Sequence, residues 1–482
     1  MKKRIMGIET EYGSILRRKS GYYSKVDSAI HFIGYFSRKR RNTLAFLKPL
    51  MEEGMMDGLW LGAIGGKIYN DRGRIEYSSP ECLGAKELAL YSEVGDRVVA
   101  SIAKRVREGF FERPTGPFSD LLVTKNNSDF IRPVPAGHFA EKVNFYGSHE
   151  NYLLNNGMML HDFCGTLATF LASRVALHGS GGMWWTQEEG WRYVLSPRAL
   201  VTEELIGTDT TFNRSLIQTR TPYADNRWGR LHLIYGDSNM SGYSMYLRFG
   251  TTHLVLRLIE ETRGRSLFPV LDDPIASLHE FAFDTSLRHR AAVGSGRYFT
   301  ALEIQKFFID RVLRLALCAE EKELIQYWMS VVRRLDEDQE NLSRELDWVI
   351  KKSFLEKSMR RHGYGLQHEK ARLIDCLYSD LSEKGIYQRL RKSSRVDYLF
   401  SSAALNGAST RPPETRAKIR SACICAIIEK IKNSGCGERL FDVGWGRILY
   451  SPGCESYRLD LFNPFVSSSE GLDRFLRKVK KY

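Results

Sequence analysis

The chain has 482 residues, of which 43% are hydrophobic and 27% are charged, so it is long enough for one large core plus a smaller domain. It contains no run of eighteen uninterrupted apolar residues, which excludes a membrane-spanning helix, and its eight cysteines form no CxxC pair, which argues against a zinc site or a disulfide framework. Because the first residues read as a strand and show no signal-peptide core, we expect a cytoplasmic protein with reduced thiols.

The net charge is +14, and this excess predicts attraction to polyanions, which include acidic proteins, nucleotides and nucleic acids. The densest basic runs are RKRR at residues 38–41 and RKVKK near the C-terminus. Neither run belongs to a helix-turn-helix, zinc-finger or RNA-binding signature. We therefore do not expect nucleic acid as the partner and keep it as a weaker alternative.

The first predicted strand, RIMGIETEYG, places two glutamates one residue apart, at Glu9 and Glu11, and is expected to close at Gly13. Side chains alternate along a strand, so both carboxylates lie on one face. Two like charges on one face repel each other unless a cation or solvent relieves them. The residues alone leave two interpretations open, an edge strand with one hydrated face and a divalent-metal site.

The segment GGKIYNDRGRIEYSSPE predicts a β-hairpin with Lys67, Tyr69 and Asp71 on one face of its first strand and Glu76 on its second strand. One interpretation is an ordinary surface ion pair between Lys67 and Asp71. The other is ATP-dependent activation of a carboxylate, which needs oxygen ligands for Mg²⁺, a cation for the phosphoryl group and a further carboxylate as general base. The Walker A pattern is absent from the sequence, so any ATP would be bound in another way.

Further polar runs follow in TKNNSD, YGSHENYL and QTRTPYADNRWGRLHLIYGDSNMS, which contain His149, Arg220 and Arg230. From about Ala301, apolar residues recur every three or four positions, which predicts helices. The segment LNGASTRPPETRAKIR contains glycine and two prolines and predicts a boundary. We predict an α+β protein with a large catalytic domain at 1–408 and a small C-terminal domain at 409–482. In the small domain, GERLFDVGWGRILY is expected to be a strand, and the apolar stripe of the closing helix is expected to pack against the core.

The order of several blocks along the chain resembles one known family. The blocks are MKKRIMGIETEYG, KIYND, EYSSPE, KNNSD, GSHENYL, RLHLIYGDSNMS, DWVIKK and the tryptophan-containing strand near residue 445. They resemble the Pup–protein ligase and depupylase family from residue 1 to about 450. The resemblance implies a fold similar to that of glutamine synthetase and glutamate–cysteine ligase, with a curved antiparallel sheet backed by helices and a small C-terminal domain.

The resemblance also implies a reaction and its cofactors, ATP and Mg²⁺. The family's ligase phosphorylates the γ-carboxylate of the C-terminal glutamate of a small, acidic, disordered protein tag, and a lysine of a substrate protein then forms an isopeptide bond. Carried over by motif, Asp71 would be the catalytic carboxylate. Glu9, Tyr69 and Glu76 would hold Mg²⁺, with Glu11 beside them or on a second ion. Contacts to the nucleotide would come from Lys67, where the family more usually has arginine, from Ser79, Trp445, His149, Arg220 and Arg230.

The sequence mixes features of the two branches of this family. EYSSPE and GSHENYL resemble the depupylase, whereas GDSNMS and DWVIKK resemble the ligase. We predict a ligase that marks proteins for degradation through a link to a bacterial proteasome. The alternative is a depupylase or deamidase, and a small-molecule glutamate–amine ligase is a more distant one. The insertion FIRPVPAGHFAEKVNFY departs from both branches and suggests a Pup-like tag in place of Pup itself.

Overall fold

The structure is a computed structural model that describes most of the chain. The described residues are 3–21, 23–24, 46–47, 58–71, 73–111, 118–128, 145–155, 160–209, 213–219, 228–263, 270–294, 296–434 and 441–481. Three features of the sequence fall outside these ranges. They are the basic run at 38–41, the predicted phosphate contact Arg220 and all but the last two residues of the insertion at 130–146.

The elements are numbered in chain order. The strands are β1 (Ile5–Arg18), β2 (Tyr23–Ser24), β3 (Phe46–Leu47), β4 (Gly58–Leu61), β5 (Gly66–Asp71), β6 (Arg74–Ser78), β7 (Cys82–Leu83), β8 (Phe118–Thr124), β9 (Ser148–Asn155), β10 (Gly182–Thr186), β11 (Gly190–Val194), β12 (Glu204–Gly207), β13 (Ser215–Gln218), β14 (Trp228–Leu233), β15 (Arg290–Val293), β16 (Arg297–Thr300), β17 (Phe441–Val443), β18 (Arg447–Tyr450) and β19 (Tyr457–Asp460). The helices are α1 (Ala85–Phe111), α2 (Leu160–Ser173), α3 (Val175–His178), α4 (Gly242–Glu261), α5 (Pro274–Phe283), α6 (Ala301–Val312), α7 (Ala319–Glu337), α8 (Asp347–His362), α9 (Glu369–Tyr378), α10 (Ile386–Lys392), α11 (Ser402–Ala408), α12 (Arg416–Ser434) and α13 (Glu470–Lys481).

The structure tests three predicted boundaries of strands and helices, of which two are wrong and one is confirmed. The closure of β1 at Gly13 is wrong, because the strand continues to Arg18 and its last part pairs with β2. The predicted strand around Trp445 is also wrong, since β17 and β18 are separated by a turn in which the Gly444 amide donates to the Arg447 carbonyl at 2.9 Å. The predicted helical start at Ala301 is confirmed, and a capping box between Thr300 and Glu303 fixes it.

The chain divides into two compact units whose segments alternate along the sequence. One, called the helical unit, comprises Met1–Arg4, Gly84–Ala89 and Thr124–Leu399. The other, called the hairpin unit, comprises Ile5–Leu83, Leu90–Val123 and Phe400–Tyr482. Both units contain strands and helices, which confirms the predicted α+β class. The division into domains at 1–408 and 409–482 stays a prediction.

The hairpin unit contains a sheet with the strand order β1-β6-β5-β4-β3, in which neighbouring strands are antiparallel. A second sheet, β17-β18-β19, shares a buried apolar core with α12 and α13, and Trp60 of β4 belongs to the same core. Phe475 and Val479 of α13 are buried in this core, with Leu472 and Leu476 packed against it. The predicted packing role of the closing helix is confirmed.

The helical unit contains strands in the order β12-β13-β14-β9, surrounded by most of the helices. Its helix α2 is buried along most of its length, with Phe163, Leu167 and Phe170 among the buried residues. Within the residues that the structure describes, no helix combines the length and apolarity needed to cross a bilayer.

Candidate active site

Three neighbouring strands of the hairpin unit carry most of the predicted site residues. Strand β6 pairs with β1 on one side and with β5 on the other, which creates two rows of directly opposed residues, Glu11–Glu76–Tyr69 and Glu9–Ser78–Lys67. Opposed residues of antiparallel strands share a face, and residues two apart on one strand share it too. Both rows therefore lie on one face of the sheet, as the alternation in the sequence predicts.

The β5–β6 hairpin brings Asp71 to the same place. Asp71 is the last residue of β5 and is paired with Arg74, the first residue of β6. Gly73 has a φ of 88°, which favours glycine, and its amide donates to the Asn70 side-chain oxygen at 2.8 Å. This tight turn holds Asp71 at the end of the rows.

Glu11, Asp71 and Glu76 form a cluster of carboxylates. One oxygen from each lies within 4.8 Å of the others. Glu11 and Glu76 are buried, whereas Asp71 is half-buried. The Arg74 guanidinium contacts Glu11 at 3.1 Å, and the Tyr69 hydroxyl donates to Glu76 at 2.5 Å. The cluster thus has one half-buried member that could meet a substrate and two buried members.

The electrostatics of the cluster are unfavourable without a further cation. Burial, followed by the charges of Glu9, Glu11 and Asp71, raises the pKa of Glu76 well above its ordinary value. Burial, followed by Glu76 and Glu9, raises the pKa of the Tyr69 phenol. Like charges directly opposite each other destabilise a sheet, and carboxylate oxygens are the ligands that Mg²⁺ prefers. The donor set therefore fits a divalent cation.

Lys67 and Trp445, both predicted to contact the nucleotide, each lie next to Trp60. The Lys67 ammonium is 5.6 Å from the Trp60 ring and 5.2 Å from the Tyr69 ring. The Trp445 ring meets the Trp60 ring edge-on, with centroids 4.9 Å apart. Trp60 itself is buried and was not singled out in the sequence. Its place directly opposite Lys67 on β4 is a pairing that only the fold reveals.

Ser79 occupies a different environment from its neighbour Ser78. The Ser79 hydroxyl accepts the Ile8 amide at 3.0 Å, and the Ser79 amide donates to the Ile8 carbonyl at 2.9 Å. These bonds attach the end of β6 to β1. Ser78, which the sequence did not mark, lies in the row between Glu9 and Lys67, and its hydroxyl donates to Tyr69 at 3.3 Å.

His149 and Arg230 lie together in the helical unit, on β9 and β14. The antiparallel register pairs Asn151 with His232 and places these four side chains on one face. The rings of His149 and His232 are 5.5 Å apart, and the Arg230 guanidinium donates to the Asn151 side-chain oxygen at 2.7 Å. The fold therefore brings polar residues from two separate runs of the sequence together on neighbouring strands.

Glu150, between His149 and Asn151, points to the opposite face of β9, where it is fully buried. Its carboxylate accepts from Arg174 at 2.6 Å and from Arg248 at 2.8 Å. The two guanidinium groups outweigh the effect of burial and hold the pKa of Glu150 far below its ordinary value. The polar run YGSHENYL therefore divides by strand alternation between His149 on one face of β9 and the buried Glu150 on the other.

Addition of Mg²⁺ is expected to stabilise the wild-type protein and to stabilise the Glu76→Gln variant much less. Ligand binding to the folded state adds about 2.7 kcal/mol at a concentration 100 times Kd. Without metal, Glu76→Gln should melt above the wild type at pH 7, because a neutral amide replaces an ionisable group whose charged form is disfavoured by burial and by the neighbouring carboxylates. Thermal unfolding with EDTA and with Mg²⁺ measures both effects. The exposed Glu383→Gln variant is the control, and an equal Mg²⁺ shift in all three proteins would exclude Glu76 as a ligand.

A second prediction concerns acid stability and Glu81, a buried residue that follows β6. Burial raises its pKa, but Arg420 and Arg416 outweigh that effect and lower it from 4.5 to about 2. A carboxyl group whose pKa is lowered by folding stabilises the folded state at pH values above its ordinary pKa. This contribution is lost as the pH falls from 4.5 towards 2. Glu81→Gln should therefore flatten the pH dependence of urea unfolding in this window. Glu414→Gln, which removes an exposed pair with Lys418, should leave the slope nearly as it is in the wild type.

Comparison with known proteins agrees with the motifs and the geometry. The family model for Pup-ligase protein matches residues 4–447. The chain belongs to this family. A Pup–protein ligase of Acidimicrobium ferrooxidans is 32% identical over 99% of both chains. A depupylase of Acidothermus cellulolyticus is 32% identical over 79% of this chain and 74% of its own. A Pup deamidase/depupylase of Mycolicibacterium smegmatis is 32% identical over 82% of this chain and 77% of its own.

Solved structures of the family share the fold. The complex between the prokaryotic ubiquitin-like protein Pup and its ligase PafA matches with a TM-score of 0.82 and 25% identity, over 99% of this chain and 93% of that chain. PafA in complex with ADP matches with a TM-score of 0.75 and 23% identity, over 93% of each chain. The predicted family membership is confirmed, whereas the roles of individual site residues stay predictions.

Proposed function

We propose that this protein is an ATP-dependent ligase that joins the γ-carboxylate of the C-terminal glutamate of a Pup-like tag to lysines of substrate proteins. The observation that carries the proposal is the carboxylate cluster of Glu11, Asp71 and Glu76, on the same sheet face as Lys67. The match to a ligase of the family over 99% of both chains supports the ligase branch.

Mg²⁺ and ATP are part of this proposal. The residues that would hold Mg²⁺ are Glu9, Glu11 and Glu76, with the predicted ligand Tyr69 donating its phenol proton to Glu76. When bound, Mg²⁺ supplies positive charge next to the phosphate oxygens. Lys67, buried against Trp60 and Tyr69, would place a fixed ammonium beside the transferring phosphoryl group.

Asp71 is the proposed catalytic carboxylate. It ends β5 at the hairpin turn and is more accessible than the buried Glu11 and Glu76. A lysine of the substrate must lose a proton before its nitrogen attacks the activated carboxyl carbon. Asp71 can accept that proton as general base, and the phosphate then leaves as the isopeptide bond forms.

The charge of the protein supports an acidic tag as the partner. A net charge of +14 attracts acidic chains by electrostatic steering, and a disordered tag can wrap a large surface when it binds. Lysine-bearing substrate proteins and a link to a bacterial proteasome complete the proposal. The cytoplasmic location expected from the sequence stays a prediction.

Depupylation is the second candidate, because depupylases of the family are also 32% identical to this chain, over 79% and 82% of its length. The same carboxylate cluster could serve isopeptide hydrolysis, with Asp71 acting on water or on the carbonyl carbon.

One experiment separates the candidates. Purified protein is incubated with ATP and Mg²⁺, in one reaction with a Pup-like tag ending in glutamate and a lysine-bearing protein, and in the other with a pre-made tag–lysine conjugate. The ligase proposal predicts new conjugates in the first reaction. Loss of the conjugate in the second reaction alone would assign the protein to the hydrolase branch. ADP release that requires only free glutamate and a small amine would show that the substrate is a small molecule and not a protein tag.

A further inference from the structure

One buried guanidinium in the hairpin unit joins three separate pieces of chain around the proposed nucleotide contacts. It belongs to Arg420 of α12, which is 0% exposed. Its Nε donates to the Gly65 carbonyl at 2.9 Å, and its Nη1 donates to the Trp445 carbonyl at 3.1 Å. Nη1 also donates to Glu81 at 3.2 Å, and Nη2 forms an ion pair with the same carboxylate. The planar fork of an arginine can satisfy several acceptors in this way, whereas a lysine ammonium cannot.

The acceptors lie at the positions that fix the geometry of the hairpin. Gly65 immediately precedes β5, Glu81 follows β6, and Trp445 lies in the turn between β17 and β18. Arg420 therefore contacts both open ends of the hairpin that carries Lys67 and Asp71. The helix approaches closely here, since a Cβ on Gly65 would lie 2.6 Å from the Ala417 carbonyl oxygen.

Arg420 also contacts Trp60, which lies next to Lys67, and Trp445, which packs against Trp60. Its guanidinium carbon is 4.6 Å from the centre of the Trp445 ring and 5.3 Å from that of the Trp60 ring. Stacking of a guanidinium on an indole restricts the ring to one orientation. The orientation of Trp445 and its distance from Lys67 therefore depend on the same side chain.

We propose that Arg420 is a positioning residue for the nucleotide, which sets the placement of Trp445 relative to Lys67 without contacting the nucleotide itself. This inference rests on the proposed function, because it assumes that Trp445 and Lys67 contact ATP. It goes beyond that function by assigning their alignment to one residue distant in sequence from the hairpin.

Arg416 provides a matched control. It also forms an ion pair with Glu81, at 2.6 Å, and donates to the Leu461 carbonyl at 2.9 Å. The hydrogen bonds to the Gly65 and Trp445 carbonyls, in contrast, are donated by Arg420. If the ion pair with Glu81 is purely structural, substitution of either arginine should therefore have the same effect on the kinetics. If Arg420 positions Trp445, only its substitution should raise the KM for ATP.

The test compares Arg420→Lys with Arg416→Lys in steady-state kinetics. Arg420→Lys should raise the KM for ATP by about tenfold or more and change the KM for the tag by less than about threefold. Arg416→Lys should change both by less than about threefold. Because a lone substitution at a buried charge can prevent folding, the double variant Arg420→Met with Glu81→Gln removes both charges together and should show the same rise in the KM for ATP.

A second measurement does not depend on the proposed function. The emission of Trp445 is obtained in nucleotide-free protein as the difference between each variant and the same variant carrying Trp445→Phe. Arg420→Lys should shift this emission to longer wavelength, and Arg416→Lys should not. Equal KM values for ATP in both variants, with unchanged Trp445 emission, would overturn the positioning role. A shifted Trp445 emission in Arg420→Lys, found together with a wild-type protein that performs no ATP-dependent reaction, would instead support the contact and contradict the proposed function.

Discussion

Replacement of Asp71 by asparagine is expected to reduce the rate of conjugate formation by roughly 10²- to 10⁴-fold, the range that a general base contributes. Asparagine keeps the shape of the side chain but cannot accept a proton. The fold should remain intact, because Asp71 lies at the end of β5 beside two other carboxylates, and removing one negative charge relieves repulsion within the cluster. Conjugate formation under saturating ATP and tag, together with a thermal unfolding curve, measures both effects.

Asp460→Asn is the matched control for this variant. Asp460 lies in the same unit, ends β19 and forms an exposed pair with Arg458 at 2.7 Å. Exposed pairs contribute little to stability, so this variant should be as active and as stable as the wild type. An active Asp71→Asn enzyme would remove Asp71 from the catalytic step. A rate loss accompanied by unfolding would attribute the effect to the fold.

Glu150→Gln is expected to lower the free energy of unfolding by about 3–5 kcal/mol, the usual cost of breaking a buried ion pair on one side. The Glu150 carboxylate accepts from both Arg174 and Arg248, and all three side chains are fully buried. The neutral amide would leave two guanidinium groups inside the helical unit without a counter-charge. Urea unfolding at pH 7 measures the loss.

Glu337→Gln is the control for this variant. It removes an exposed pair with Arg333 one helical turn away and should cost less than about 0.5 kcal/mol.

The loss at Glu150 should also reach the start of β9. Arg248 donates to the carbonyl oxygens of Ser148 and Asp237, so weakening its contact with Glu150 loosens the start of this strand. A Glu150→Gln variant as stable as the wild type would show that the two arginines are compensated in another way.

Local periodicity was sufficient to predict which site residues share a face. Alternation along β1 placed Glu9 with Glu11, and alternation along β5 placed Lys67 with Tyr69 and Asp71, and the strand register agrees. The same rule could have separated Glu150 from His149. The obstacle is that a short polar run resembles a loop more than a strand with one face in the core.

Long-range pairing could not be predicted from the residues. No local signal specifies that Glu76 lies opposite Glu11, or that Ser78 lies between Glu9 and Lys67, since register depends on the whole sheet. The contacts of Arg420 belong to the same class, because its partner Gly65 lies 355 positions away in sequence. The signal available in the sequence was an arginine, Arg420, beside the apolar run of α12.

The resemblance to a family supplied the reaction, and the structure supplied the arrangement. For Ser79, the structure adds a backbone hydrogen bond that the hydroxyl accepts from Ile8, and the nucleotide contact implied by the motif stays a prediction. For Trp445, the motif implied a strand, whereas glycines on both sides allow a turn that presents the indole to Trp60. Such differences arise where local sequence is compatible with several backbone conformations and tertiary contacts select one.

The central claim is that a carboxylate of the tag is activated by phosphorylation before the lysine attacks. The most direct test uses a tag whose C-terminal glutamate carries ¹⁸O in its γ-carboxylate, incubated with ATP, Mg²⁺, a lysine-bearing protein and this enzyme. Mass spectrometry of the released inorganic phosphate then follows the label. The account predicts one ¹⁸O atom in phosphate for each conjugate formed, because the carboxylate oxygen leaves with the phosphoryl group. Conjugates accompanied by unlabelled phosphate would contradict it.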